Sequence, residues 1–289
     1  MGILLSIVIP VYNRQTGIEN LLNSLVQSSA YQDYQENIEV IVIDDASTVA
    51  ITLPSLPISH LVLSRHTENG GAPKSRARGF KLSHGEFVHF HDSDDAFSAQ
   101  WLANVVELLT HRRDIDVLLT ARYDIDKDNI PRYKVQKFFH KNSHNIDKIK
   151  KRLLYRNCMG PLGGVTFSRK VIESITFRNL ASCQDWQMYL DVMCHAKVLV
   201  SKPTITYHFF VGGDDRISHN SLKKILGFLQ LSKVTAKKSL FGKDIRFFYL
   251  YTCKMHLMKK DGLIKNFYKK HQVIVFVYFI LITLYWRFF

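Results

Sequence analysis

Three short apolar runs in the first hundred residues each end on a polar cluster, and that pattern limits the fold more than any other feature of the chain. Ile3–Ile9 leads into Pro10-Val11-Tyr12-Asn13, Glu39–Ile43 into Asp44-Asp45-Ala46-Ser47, and Phe87–His91 into Asp92-Ser93-Asp94-Asp95. Between them apolar residues recur at helical spacing: Ile18, Leu21, Leu22, Leu25 and Val26, then Ala72–Leu82 after the Gly70-Gly71 break. Leu61–Leu63, Trp101–Leu109 and Val117–Ala121 continue the alternation as strand, helix and strand. Alternating strands and helices predict an α/β fold with a mostly parallel sheet and helices on both faces. Such sheets bind ligands outside the C-terminal ends of their strands, which is where the three polar clusters fall.

The chain then changes character. Residues 129–156 are basic and weakly patterned, which predicts a loop and a short helix. Gly160-Pro161-Leu162-Gly163-Gly164 precedes a short strand at Val165–Phe167, and Asp185–Met193 reads as a helix with Trp186, Tyr189, Leu190 and Met193 on one face. Beyond the Gly212-Gly213 turn, Leu222, Ile225, Leu226 and Leu229 form an amphipathic stripe with lysines opposite.

Charge divides the chain in the same way. Of 39 Lys and Arg and 25 Asp and Glu, 16 and 4 lie in residues 201–289, so a near-neutral body precedes a basic tail. Residues Val273–Trp286 carry no charge and end the tail with an apolar run. As a helix this run would be about 21 Å long, short of the roughly 30 Å of a bilayer's hydrocarbon core. Shallow insertion with Tyr278, Tyr285 and Trp286 at the interface, or packing on the body, are the two readings of it. Clustered lysines before it would attract anionic lipid. Four cysteines without C-x-x-C spacing favour a reducing compartment over a disulfide scaffold or a zinc knuckle. The apolar N-terminus lacks a basic leader and ends at Pro10, which reads as a buried strand and not a signal peptide.

Asp92, Asp94 and Asp95 crowd negative charge onto one strand end. Mutual repulsion of that kind is relieved by a divalent cation, and hard oxygen donors suit Mg²⁺ or Mn²⁺. A solvated acidic turn is the plainer alternative. His89 and His91 share a strand face, and without further ligands they read as packing groups and not a zinc site.

Taken in order, Ser6–Arg14, Ile41–Ser47 and Gly85–Asp95 resemble the corresponding blocks of the family 2 glycosyltransferases, and Gln184-Asp185-Trp186 resembles that family's later Glu-Asp-Trp segment. The resemblance implies a GT-A fold over residues 1–220, with a nucleotide-sugar half at 1–120 and an acceptor half at 121–220; the charge and the apolar run beyond it predict a basic helical, membrane-associating region at 221–289. It implies that Pro10 and Tyr12 line a nucleotide pocket, that Asp44 and Asp45 meet the uracil or ribose, and that Arg76 supports the nucleotide. Asp92 and Asp94 would form a D-x-D motif touching ribose, sugar and metal, and Asp185 would be the catalytic base. His219 falls where a C-terminal loop of such a fold could reach the phosphates or metal, or simply face solvent. Gly160–Gly164 would shape the acceptor pocket, or be an ordinary turn. The family pattern has Glu where Gln184 stands, and Asn where Ala77 stands.

The implied activity is an inverting, metal-dependent transfer from a UDP-sugar to a lipid-linked glycan in lipopolysaccharide, O-antigen or capsule synthesis, at the cytoplasmic face of the inner membrane. Its partners would be the UDP-sugar, the lipid-linked oligosaccharide or lipopolysaccharide acceptor and an anionic membrane surface, with no nucleic acid. Two other classes compete. A nucleotidyltransferase needs a Gly-rich basic loop after the first strand, which Val11-Tyr12-Asn13-Arg14 does not supply. A non-enzymatic membrane- or nucleic-acid-binding protein would use the net charge of +14 but has no need of the D-x-D carboxylates.

Overall fold

The computed structural model describes residues 2–211, apart from 30 and 155, together with a few helical positions between 223 and 231. The chain divides into two compact units, with the boundary after residue 216. His219, most of the basic tail and the apolar run at 273–286 lie outside the described residues. Among those described, no helix is long and apolar enough to cross a membrane.

In chain order the elements are β1 (Leu5–Val11), α1 (Gln15–Val26), α2 (Tyr31–Tyr34), β2 (Ile38–Asp44), β3 (Leu61–Arg65), α3 (Ala72–Leu82), β4 (Phe87–Phe90), β5 (Ala96–Phe97) and α4 (Trp101–His111). They continue with β6 (Val117–Ile125), β7 (Pro131–Lys134), α5 (Lys137–Asn142), α6 (Ile146–Leu153), β8 (Val165–Ser168), α7 (Arg169–Glu173), α8 (Gln184–Val192) and β9 (Leu199–Phe210). The sheet order is β3-β2-β1-β4-β8-β6-β9-β5, with β7 hung on β6. From β3 to β4 all pairs are parallel. Beyond β4 the sheet is mixed: β8 runs antiparallel to both β4 and β6, β6 and β9 are parallel, and β5 and β7 are antiparallel additions. The parallel expectation therefore describes β1 to β4, and the strands after them add the antiparallel pairs.

Alternation along β1 assigns its two faces, as a two-residue period must. Leu5, Ile7, Ile9 and Val11 join α1 (Ile18, Leu21, Leu22, Leu25) and α4 (Trp101, Leu102, Val105, Val106, Leu109) in one buried core. Val8 and Ile43 turn the other way, toward α3. There Gly79 lies so close to the sheet that a Cβ on it would sit 2.3 Å from Val8 Cγ1 and 3.4 Å from Ile43 Cγ1. At the far end of the same strands Glu39 is buried and accepts hydrogen bonds from the Ser6 hydroxyl and the His84 and Gly85 N–H groups.

Two elements depart from the sequence reading. The stretch expected as loop and short helix holds β7 and two short helices, with α6 burying Ile149 and Leu153. The 12-residue β9 has no clear period-two pattern, because its burial is broken and Pro203 interrupts it. The β6–β9 register shows why proline is tolerated. Thr120 pairs with Lys202 and Ala121 with Thr206, so Pro203 falls in a bulge where no ladder N–H is needed.

Candidate active site

The polar clusters converge where β1, β2 and β4 end. Pro10 is buried in β1 opposite Ile43, and Tyr12 just beyond it is 46% exposed. Asn13 adopts a left-handed φ of 52°. Its N–H donates to Ser47 Oγ at 2.9 Å and its Oδ1 accepts from the Thr48 N–H at 2.8 Å, which joins the loops after β1 and β2. Asn tolerates that conformation better than most residues.

Asp44 and Asp45 share a strand end but hold different structures. Asp44 is buried and accepts from the Ser47 N–H at 2.8 Å and the Ile51 N–H at 3.3 Å, with Arg65 at 3.4 Å. Burial works to raise its carboxyl, but those hydrogen bonds and Arg65 outweigh it and hold it below the usual aspartate range. Asp45 accepts from the Gly70 and Gly71 N–H groups at 3.0 and 2.7 Å, fixing the loop ahead of α3. Gly71 has a φ of 80°, which an L side chain adopts with strain, so the Gly-Gly pair builds this cradle as well as breaking the preceding strand.

Arg76 on α3 is 5% exposed and links the donor-side acids to the later helix. Its Nη2 donates to Asp92 Oδ1 at 2.7 Å, and its Nη1 lies 3.8 Å from Asp185 Oδ1. Asp94 is paired with Arg14 at 2.9 Å. Asp95 is buried and its Oδ1 accepts from the Phe210 N–H at 3.3 Å, tying the end of β9 to the acidic turn. Asp92, Asp94 and Asp95 each present an oxygen within 4.8 Å of the others. All donors there are carboxylate oxygens on a partly open strand end, a set that fits a hard divalent cation.

Asp185 opens α8, where the N-terminal dipole favours negative charge. Even so its carboxyl is pushed up to about 6. Burial is the main cause and Asp92 adds to it, while Arg76 and the Leu162 N–H oppose it. The side chain keeps 29% exposure on the open side of the site. A carboxylate of this kind is poised to take a proton near neutral pH. Cys183 just before the helix holds a left-handed φ of 61°, a strained start that helps aim Asp185.

Under the acidic turn His89 and His91 are fully buried. His89 bridges Thr166 Oγ1 and His91 Nδ1, each at 3.0 Å, and His91 stacks on Phe97 with centroids 4.1 Å apart. Burial drives both imidazoles down, His91 to about 3, so they stay neutral packing groups.

The Gly160–Gly164 segment lies against the same site. Tyr189 Oη donates to the Gly160 carbonyl at 3.0 Å, and the Thr120 hydroxyl donates to the Gly164 carbonyl at 3.1 Å. Cβ atoms on Gly163 and Gly164 would meet the Tyr207 ring at 3.0 and 3.2 Å. On Gly160, with φ 81°, a Cβ would lie 2.5 Å from Gln136 Nε2 and 3.3 Å from Arg122 Nη1. Arg14 closes the first block but carried no role in the sequence reading, and Arg65, Arg122 and Tyr207 were not singled out at all. Only folding brings them to the carboxylates and the loop.

A mixed, mostly parallel sheet with acidic strand ends, and a buried arginine joining one of them to a helix-borne carboxyl raised toward neutrality, fit a nucleotide-sugar transferase of the GT-A type. Residues 6–176 match the family described as Glycosyl transferase family 2, and the chain belongs to that family. Among curated proteins it is 31% identical over 160 residues to the poly(ribitol-phosphate) beta-N-acetylglucosaminyltransferase TarS of Staphylococcus aureus, a match covering 52% of this chain and 26% of that one. It is 26% identical over 221 residues to the poly(ribitol-phosphate) beta-glucosyltransferase of Bacillus spizizenii, covering 73% and 32%. The chain thus spans well under half the length of these relatives. Among solved structures, that of S. aureus TarS 1–349 in complex with UDP-GlcNAc superposes with a TM-score of 0.65 at 21% identity, over 86% of this chain and 72% of the other. The Pyrobaculum calidifontis mannosyltransferase PcManGT in complex with GDP-Man and Mn²⁺ gives 0.59 at 15% identity, over 96% and 83%. These likenesses show the GT-A fold.

Proposed function

We propose that this glycosyltransferase moves a sugar from a UDP-sugar to a cell-surface glycopolymer and inverts the anomeric centre as it does so. The observation that carries the reading is Arg76, whose one guanidinium meets both Asp92 and Asp185. Donor-side acid and base are thereby held a few ångströms apart, as direct displacement requires. Tyr12, Pro10, Asp44 and Asp45 frame the nucleoside. Asp185 accepts the proton of the attacking hydroxyl, while Arg76 and the Leu162 N–H keep enough of it ionised near neutral pH. Asp92 and Asp94 would hold a Mg²⁺ or Mn²⁺ ion, which supplies positive charge for the departing diphosphate. Arg14, paired with Asp94, orients that carboxylate.

Three observations support the donor and acceptor classes. One neighbour in fold was solved with UDP-GlcNAc and another with GDP-Man and Mn²⁺, and the curated relatives are named for transfer onto poly(ribitol-phosphate). The acceptor is a glycopolymer grown on a lipid carrier at the cytoplasmic face of the membrane. The basic sequence after residue 216, with its apolar end, supports that placement.

The test is donor hydrolysis without acceptor, across UDP-GlcNAc, UDP-glucose, GDP-mannose and TDP-glucose with Mn²⁺ or Mg²⁺. Release of UDP from one UDP-sugar, abolished by chelator and by Asp94→Asn, is the expected result. Hydrolysis of none, with no thermal shift by UDP plus Mn²⁺, would overturn the reading.

A further inference from the structure

The first 200 residues are nearly neutral only because two opposed charges cancel. Residues 127–156 hold ten Lys and Arg against two Asp, a net of +8, whereas the remaining residues up to 200 hold 13 against 19, a net of −6. Folding keeps that separation except at Arg132, which pairs with Asp126 at 3.0 Å. Lys134, Lys137, Lys141, Lys148, Lys151 and Arg156 are all exposed, and none has an ion-pair partner among the described residues. An ordinary solvated helix face mixes signs at i and i+4. Here Asp147 is the only acid on α6, against Lys148, Lys150, Lys151 and Arg152 around the buried pair Ile149 and Leu153.

The basic stretch is fastened to the catalytic side of the fold. Trp186 Nε1, one residue past Asp185, donates to the Leu153 carbonyl at 2.6 Å. After α6 the chain runs through Arg156 and Asn157 into Gly160, whose outer face is covered by Gln136 and Arg122. The next residues supply the Leu162 N–H that reaches Asp185. Tyr133, 47% exposed on β7, adds an aromatic face among the cations.

We infer that β7, α5 and α6 form the binding surface for an acceptor chain that carries phosphodiesters along its length. A single phosphate would need one tight cluster. Cations spaced over a strand and two helices suit a repeating anion, and the tyrosine suits the carbon face of a sugar or polyol between charges. The inference rests on the glycopolymer reading and narrows it to polyanionic acceptors.

The experiment uses the full chain and three probes: a fluorescent poly(ribitol phosphate) oligomer, a size-matched dextran, and phosphatidylglycerol vesicles. The oligomer should bind, weaken as salt rises, and bind about tenfold less well to Lys148→Glu/Lys151→Glu and to Lys134→Glu/Lys137→Glu. Dextran should not bind, and UDP-sugar hydrolysis should match the parent in both variants. Unchanged oligomer affinity in both variants, equal binding of dextran, or a loss seen with vesicles alone would overturn the inference. Failure of UDP-sugar hydrolysis in the parent would instead break the transferase reading and leave the oligomer result to stand by itself.

Discussion

The two halves of the site are built differently. On the proposed donor side, Asp44, Asp45, Asp92 and Asp94 stand at strand ends, each held by backbone N–H groups or by an arginine from another element. On the proposed acceptor side, the Gly160–Gly164 loop is anchored at its start by the Asn157 side chain and packs on Thr120, Tyr189 and Tyr207. Asp44 and Asp45 are each fixed by a pair of backbone N–H bonds, whereas the glycine loop leans on ring and hydroxyl side chains that can shift without loss of the fold.

The sharpest test of that contrast is at Asp185, where the halves meet. Asp185→Asn should lower transfer on the order of a thousandfold while leaving UDP affinity nearly unchanged. Its carboxyl is raised, so in the parent the charged form costs stability once pH passes the ordinary aspartate range, most fully above about 6. The amide removes that cost, and calorimetry at pH 8 should show a variant no less stable than the parent, by roughly 1 kcal/mol in its favour. A matching loss of UDP binding would put Asp185 in the donor half.

Arg76→Gln should come next, at about a hundredfold in kcat/KM. Because Arg76 opposes ionisation loss at Asp185, its removal should also move the acidic limb of the pH–rate profile upward from about 6. An unmoved limb would show that the two groups are not coupled.

Gly163→Ala should be milder. The Tyr207 ring must give way by a few tenths of an ångström, so acceptor KM should rise severalfold while donor hydrolysis holds. Equal loss in both assays would erase the distinction between the halves.

Smallest in its kinetic effect is Glu39→Gln, at the opposite end of the strands, which should leave kcat and KM untouched. It should cost about 1–2 kcal/mol in denaturant titrations. Burial works to raise Glu39, but Ser6, His84 and Gly85 outweigh it, so its contribution is present above the ordinary glutamate range and lost as pH falls through its lowered value. The penalty should therefore shrink in acid.

The same contrast explains what could be read from the chain alone. β1, β2, α3 and β4 were visible because apolar periodicity and terminal polar clusters are local signals, and α3 falls on its expected bounds. β9 was hidden because its partner strand lies some eighty residues earlier and its bulge breaks the alternation. The carboxylates of the site were legible as motifs. Their counter-charges were not, since Arg14 and Arg65 look like any surface arginine until the strand ends are brought together.

Gly79 carries a consequence for how this enzyme can evolve. Its bare backbone sets the gap between α3 and the sheet, and Arg76 rides on the same helix one turn earlier. Any methyl there would lift the helix like a shim under a lever, and the charged tip would swing away from both acids. Drift at a core position with no side chain would then disturb the site as surely as loss of Asp185 itself.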